Sequence, residues 1–287
     1  MQRKIIAVGH RGVRDLTGVP ENTLAAHNEA FRRGARGVEF DIQQLESGEF
    51  VLFHDVTLNR KSTGKGKLVN KSASDLRDIK LKHKGQVTDF KIPTLESALA
   101  NVGGRYMVDL DYKDGQDDAA DRLESTLKNA GFDAPNAPLV TIFCRSKKDY
   151  LRLAPLNKIY SVRPLFDGKD HPAQMVAKGF RVMGLRQYQH KKSYADAISD
   201  QNFHIFANAM KVQRTRAAIN HIADILGFKI RWRYSKTTPR ERHNIFTKAI
   251  SYGPLFLQTD YLGEVVPLLR SLNLYEDRVL NRAFQPM

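Results

Sequence analysis

Short apolar, β-branched runs alternate along this chain with stretches whose apolar positions recur every three or four residues. The first pattern suits strands and the second suits amphipathic helices. Ile5–Gly9 predicts a first strand. Asn22 then offers an N-cap for a helix over Thr23–Arg33, which Gly34 would end. Gly37–Gln43 predicts a second strand, and Phe50–His54 a short extended run beyond the turn residues Ser47 and Gly48. Further strands are expected at Tyr106–Tyr112, Leu139–Cys144, Ile159–Pro164, Arg181–Arg186, His204–Met210 and Leu255–Thr259. Helical segments such as Asp118–Ala130 and Gly263–Ser271 follow several of them.

With Phe50–His54 set aside as a hairpin partner, eight strands remain. Eight strands joined by right-handed crossovers predict an α/β chain folded as a (β/α)₈ TIM barrel. An open doubly wound sheet is the competing architecture, but no glycine-rich phosphate loop follows the first strand. The stretch 56–93 breaks the rhythm and is rich in Lys, Gly, Ser and Thr. Its length predicts a small inserted subdomain over the mouth of the barrel. A second irregular region, 211–242, holds a helix at about Thr215–Leu226 and a basic segment with Trp232, and the sequence assigns it no role. One barrel domain over 1–287 is expected.

Composition narrows the class. The 287 residues are 41% hydrophobic and 27% charged, as in ordinary globular proteins. No apolar run is long enough for a membrane span, and the four apolar residues Ile5–Val8 are too few for a secretory signal, so a cytoplasmic location is expected. One cysteine, Cys144, forbids an intramolecular disulfide and removes thiolate zinc clusters; its apolar run makes it a buried small hydrophobe. The net charge of +15 is spread along the chain without basic blocks or interleaved aromatics. That favours a solvated basic surface that helps draw in anions over a specific nucleic-acid interface.

Three clusters fall at the ends of successive predicted strands. Gly9-His10-Arg11-Gly12 places an imidazole and a guanidinium at a sharp turn; the first moves protons near neutral pH and the second grips phosphate oxygens. In Glu39-Phe40-Asp41, alternation sends both carboxylates to one face. Two inward carboxylates need a cation, either a metal ion or a salt-bridge partner such as Arg36 or Lys113. Oxygen-only ligands favour Mg²⁺ or Ca²⁺ over zinc. In Asp109-Leu110-Asp111-Tyr112-Lys113, the acids and the lysine share a face, where a further carboxylate could complete a metal site and the ammonium hold a phosphate oxygen. The plainer reading pairs one Asp with Lys113. His54-Asp55 adds a second imidazole, and two histidines flanking a phosphodiester can divide acid and base work.

The order of these motifs resembles the glycerophosphodiester phosphodiesterase family. The resemblance rests on Gly9–Gly12, Pro20–Ala26, Gly34-Ala35, Glu39–Asp41, His54-Asp55 with Leu58 and Arg60, Ser62–Gly66, Ile92–Leu95 and, near the end, Thr259–Tyr261. It is dense over Gly9–Leu95 and sparse beyond Lys113. It implies a (β/α)₈ barrel with an insertion after the second strand, and hydrolysis of a glycerophosphodiester to glycerol 3-phosphate and an alcohol. By position, it makes His10 and His54 the catalytic pair, Glu39, Asp41 and Asp111 metal ligands, and Arg11 and Lys113 phosphate contacts. Asp111 stands where the family usually has Glu, so either the ion shifts or Asp109 assists. The late strand that usually carries a tryptophan reads His204–Asn208 here.

Two other readings stand beside this one. One is a lysophospholipase D-like enzyme acting at a membrane surface, with peripheral membrane contact. The other is a non-catalytic barrel binding anions or nucleic acid, which has no need of His10, Glu39, Asp41 and His54 together. Arg145, Arg163 and Arg186 sit near strand ends and read as surface arginines, with added positive potential at the mouth as the alternative.

Overall fold

The computed structural model describes residues 4–164, 182–185, 204–208, 238–250 and 256–278. Eight strands in these residues follow one another around a parallel sheet: β1 (Ile6–Gly9), β2 (Gly37–Gln44), β6 (Met107–Asp114), β7 (Val140–Cys144), β8 (Ser161–Pro164), β9 (Val182–Leu185), β10 (His204–Asn208) and β11 (Phe256–Thr259). The first and last pair in parallel, Ile6 with Phe256, and β8 lies against β9 at the remaining seam. The sheet therefore curls into a barrel of TIM type. β3 (Phe50–Leu52) pairs antiparallel with the end of β2, outside the ring.

Alternation sorts the side chains. Val38, Phe40, Ile42, Val108, Leu110 and Tyr112 pack outward with α3 (Leu95–Val102) and α4 (Ala119–Asn129). Ala7 and Leu257 pack outward with α1 (Leu24–Arg32) and α7 (Leu262–Ser271). Inside, Ile6, Val8, Met107 and Phe256 form an apolar floor. Above it the lining turns polar and charged, because the same alternating positions now carry Glu39, Asp41, Asp109 and Asp111. The β2–β6 register sets Glu39 beside Asp109, and Asp41 beside Asp111 one pleat higher. Two more helices are described, α5 (Lys147–Leu153) and α6 (Pro239–Ile250).

The stretch 56–93 holds the short helix α2 (Ala73–Leu76) and the antiparallel ribbon β4 (Lys80–His83) and β5 (Gln86–Lys91). It has its own core, Leu58, Leu68, Leu76, Leu81 and Ile92, seated on Leu45, Val51 and Phe53. The helix expected at Thr215–Leu226, Trp232 and Arg186 lie outside the described residues. One expectation is corrected. Thr23, not Asn22, caps α1, its hydroxyl accepting from the Ala26 N–H at 3.2 Å. Asn22 has φ +59, outside the extended backbone a cap requires, because its side chain is used elsewhere.

His27 on α1 is fully buried, stacks on Phe40 at 4.4 Å, and neither ring nitrogen has a hydrogen-bond partner. Burial pushes its pKa down to about 3. As pH falls below the ordinary value of about 6.5, the unfolded chain takes up a proton that the native chain refuses, so this stability is present above 6.5 and lost below it. His27→Phe keeps the stack and removes the titration. Its stability relative to the parent should improve by about 2–3 kcal/mol between pH 7.5 and 4.5. Urea unfolding of both proteins at the two pH values reads this difference, and a constant gap would refute it.

Candidate active site

The turn after β1 fixes the first functional residues. Gly12 lies at φ +80, and a Cβ there would come within 2.5 Å of the Ala26 backbone, so only glycine fits where the loop meets α1. Arg11 is itself left-handed at φ +55. That conformation is unfavourable for a residue that bears a Cβ, and it turns the Arg11 N–H onto Glu39 Oε2 at 2.8 Å. The Arg11 side chain reaches Asp41 Oδ2 at 2.8 Å through Nε and Glu21 at 3.0 Å. Burial opposes its charge, but Asp41, Glu21 and Glu39 outweigh burial and raise its pKa. Asn22 completes the clamp: its amide donates to Asp41 Oδ2 at 2.7 Å, and its carbonyl accepts from the Asp41 N–H at 3.2 Å.

Glu39, Asp41 and Asp111 each offer an oxygen within 4.8 Å of the others, all buried. Lys113 Nζ stands between two of them, 2.7 Å from Asp41 and 2.5 Å from Asp111. Arg145 adds a contact of 2.7 Å to Asp111. Asp41 is held below the usual carboxylate range; burial works against this, and Arg11, Lys113, His54 and His10 prevail. Glu39 goes the other way. Burial, with Asp41 and Asp111 close by, raises it well above the usual range, and its Oε1 has no hydrogen-bond partner.

Both histidines are anchored through Nδ1. His10 bonds to Asp260 Oδ1 at 2.7 Å, with its Nε2 4.0 Å from Glu39. His54, at the end of the β2–β3 hairpin, bonds to Asp55 at 2.9 Å, and Arg60 grips Asp55 from the far side at 2.6 and 2.8 Å. An Nδ1 proton given to a carboxylate leaves Nε2 of each ring for chemistry. Burial lowers the His54 pKa, with Asp41 pulling the other way. Asp260 is pulled down to about 2: burial would raise it, but His10, Arg14 and Arg11 override that.

Two imidazoles, a carboxylate trio and the cations of Arg11 and Lys113 thus share the C-terminal end of a parallel barrel, the face where barrel enzymes carry their chemistry. The sequence profile of the glycerophosphoryl diester phosphodiesterase family matches residues 10–218. The chain belongs to this family. A glycerophosphodiester phosphodiesterase of Caldanaerobacter subterraneus subsp. tengcongensis is 32% identical over 115 residues, covering 39% of this chain and 46% of the relative. Glycerophosphodiester phosphodiesterase 1 of Homo sapiens is 40% identical over 101 residues, covering 34% of this chain and 30% of the relative. The matched stretch spans less than half the length of either relative. In fold, the chain is similar to a glycerophosphodiester phosphodiesterase from Agrobacterium tumefaciens, at 16% identity and TM-score 0.71, covering 92% of this chain and 99% of the other. It is also similar to an Oleispira antarctica phosphodiesterase in complex with the product sn-glycerol-3-phosphate, at 16% identity and TM-score 0.69, covering 93% and 97%.

Against this family background three expectations change. Asp109 does not assist the carboxylate trio: Arg163 holds it at 2.6 and 2.7 Å and Thr141 donates to it at 2.5 Å, one layer below. Burial nonetheless raises its pKa, with the Arg163 guanidinium opposing. Arg163 is therefore no surface arginine; it is 4% exposed and lies 4.7 Å over the Phe143 ring. Arg145 is half-exposed but tied to Asp111. Arg36 pairs with Asp277 rather than with the acids of β2. Lys113 pairs with two carboxylates, Asp41 and Asp111. Cys144 is fully buried, and burial pushes its thiol up to about 12.

The donor set fits a hard divalent ion. Three carboxylates offer only oxygen, and Glu39 Oε1 is a buried acceptor with no donor. Adding a divalent cation at about 100 times its Kd should stabilise the fold by about 2.7 kcal/mol, seen as a rise in Tm of about 5–10 °C. Burial and its acidic neighbours raise the Glu39 pKa, so cation binding should weaken as pH falls. Glu39→Gln should lose both signals; a Tm that ignores the cation would exclude the site.

Proposed function

We propose that this protein is a divalent-metal-dependent phosphodiesterase that hydrolyses a glycerophosphodiester to glycerol 3-phosphate and an alcohol. The observation that carries this reading is the pair of histidines, each with Nδ1 held by a carboxylate, set around Glu39, Asp41 and Asp111. The chain's family membership and its structural similarity to a protein with bound sn-glycerol-3-phosphate support the substrate class. The oxygen-only ligands point to Mg²⁺ or Ca²⁺.

His54 is the base in this scheme. Its lowered pKa leaves it neutral at pH 7, so Nε2 can take a proton from the attacking water. The water oxygen bonds to phosphorus, and the bond from phosphorus to the alcohol oxygen breaks. His10 gives an Nε2 proton to that departing oxygen, with Asp260 bonded to its Nδ1 behind it. Arg11 and Lys113 place two cations beside the carboxylates, where phosphoryl oxygens can meet them. A divalent ion on Glu39, Asp41 and Asp111 would add positive charge for the phosphoryl oxygens.

The test is release of glycerol 3-phosphate from glycerophosphodiesters by the metal-loaded protein. A chelator should stop it, and His10→Ala and His54→Ala should each lower kcat by about 10²–10⁴-fold. Turnover that survives chelation, or a preference for long-chain lysolipids, would replace this reading with another chemistry or with the lysophospholipase D-like one. Asp260→Asn should lower kcat by about 10²-fold or more with a smaller change in KM, since it releases the His10 ring from its tautomer. Unchanged kcat in that variant would remove Asp260 from the scheme.

A further inference from the structure

A cavity of about 340 Å³ opens beside the catalytic centre. The β1–α1 loop and the start of α7 form one wall, and the insertion forms the other. The insertion's part is a rigid device. Lys84 and Gly85 lie at φ +49 and +90, and His83 pairs with Gln86, so the β4–β5 ribbon closes in a two-residue turn with both central residues left-handed. That turn presents Lys82 and Lys84 to the cavity, and Lys61 lies beside them.

The negative charges on this wall are already answered. Glu21 meets Arg11 at 3.0 Å, Arg14 at 2.8 Å and Lys61 at 3.4 Å. Asp260 meets His10 and Arg14, and Asp15 meets Arg33. Lys82 and Lys84 have no carboxylate within ion-pair distance among the described residues; Lys82 Nζ reaches only the Asn59 carbonyl, at 3.5 Å. His83 registers the surplus. Burial, then Lys84 and Lys61, lower its pKa.

The cavity also leads to the reaction. A smaller cavity lined by His54 shares Pro20, Glu21, Lys61 and Lys82 with the larger one. Glycerol is uncharged, and the scissile phosphate has Arg11 and Lys113 at hand. A second set of cations, one pocket further out, has a counterpart only if the other half of the substrate is charged. A quaternary or primary ammonium there would face Lys82 and Lys84 with no free carboxylate to hold it.

Building on the phosphodiesterase reading, we infer that the alcohol this protein releases bears its own anionic group, a phosphate or a carboxylate, held by Lys82 and Lys84. The pocket selects against choline and ethanolamine esters and for phosphorylated or acidic alcohols.

A matched pair of substrates isolates the charge: glycerophosphoinositol and glycerophosphoinositol 4-phosphate, with glycerophosphocholine as the cationic case. With the metal-loaded full chain, kcat/KM should be about tenfold higher for the phosphorylated member, equivalent to about 1.4 kcal/mol. The preference should shrink as salt is raised from about 0.01 to 0.15 M, where screening shortens from about 30 to 8 Å. The double variant Lys82→Gln/Lys84→Gln, checked for an unchanged circular dichroism spectrum, should bring the ratio close to one. Turnover with a ratio of one or less in the parent overturns the pocket and leaves the phosphodiesterase reading intact. A preference that survives in the double variant overturns the lysine assignment. No turnover of any of the three overturns both readings.

Discussion

Three carboxylates inside one barrel cannot all keep their charge without cations, and that constraint shapes everything at this end of the molecule. An unpaired buried carboxylate is costly by several kcal/mol, so it must be paired, protonated or bound to an ion. Asp41 and Asp111 share Lys113, each with an arginine as well, whereas burial and its acidic neighbours raise the Glu39 pKa and so favour its neutral form. Holding Arg11 against Asp41 and Glu39 requires a left-handed backbone at Arg11, and Asn22 is left-handed too. Gly12 absorbs the close approach of α1. Local strain at the β1–α1 turn is thus the cost of charge compensation in the barrel.

Alternation made much of this legible in advance. Period two puts Glu39 and Asp41 on one face, and Asp109, Asp111 and Lys113 on another, whatever the tertiary structure. The strands, their order and the hairpin at Phe50 follow from the same pattern. What alternation cannot give is height. Asp109 and Asp111 share a face, but the register sets Asp109 opposite Glu39 and beside Thr141, where Arg163 claims it. The arginine that neutralises it comes from a strand 54 residues away. The Asp260 bond to His10 spans 250 residues and depends on β11 closing against β1. Such pairings are products of barrel closure. Asn22 shows a different limit, since a residue type that favours helix caps also bonds carboxylates, and local preference cannot say which it will do.

The insertion links these levels. His54 leaves the β2–β3 hairpin at its root, and Arg60, just beyond, braces Asp55 and through it the imidazole. The same segment packs its own apolar core against Leu45, Val51 and Phe53, so the bracing group and the lysine-bearing ribbon are seated on β2 and β3 through one apolar cluster. A loop of this length without a core would leave His54 on a soft support. With one, His54 rests on a packed support, although it lies outside the ring of strands.

The competition for oxygen atoms also explains how Lys113 can have two roles. An ion entering the trio must take oxygens that Lys113 and the arginines now hold at Asp41 and Asp111, yet at Glu39 Oε1 it displaces no hydrogen bond. Glu39 would therefore be the ligand with the least to lose, and the aspartates would bind an ion only at the expense of their present partners. A cation and an ammonium crowded around the same carboxylates repel each other at short range, with an energy that grows as the local dielectric falls. The ammonium would relax that repulsion by turning toward a new anion, such as a phosphodiester at the barrel mouth. On this argument the salt bridge seen here and a phosphate contact would be successive states of a single lysine, with Asp111, held by Arg145 as well, as the partner it would leave.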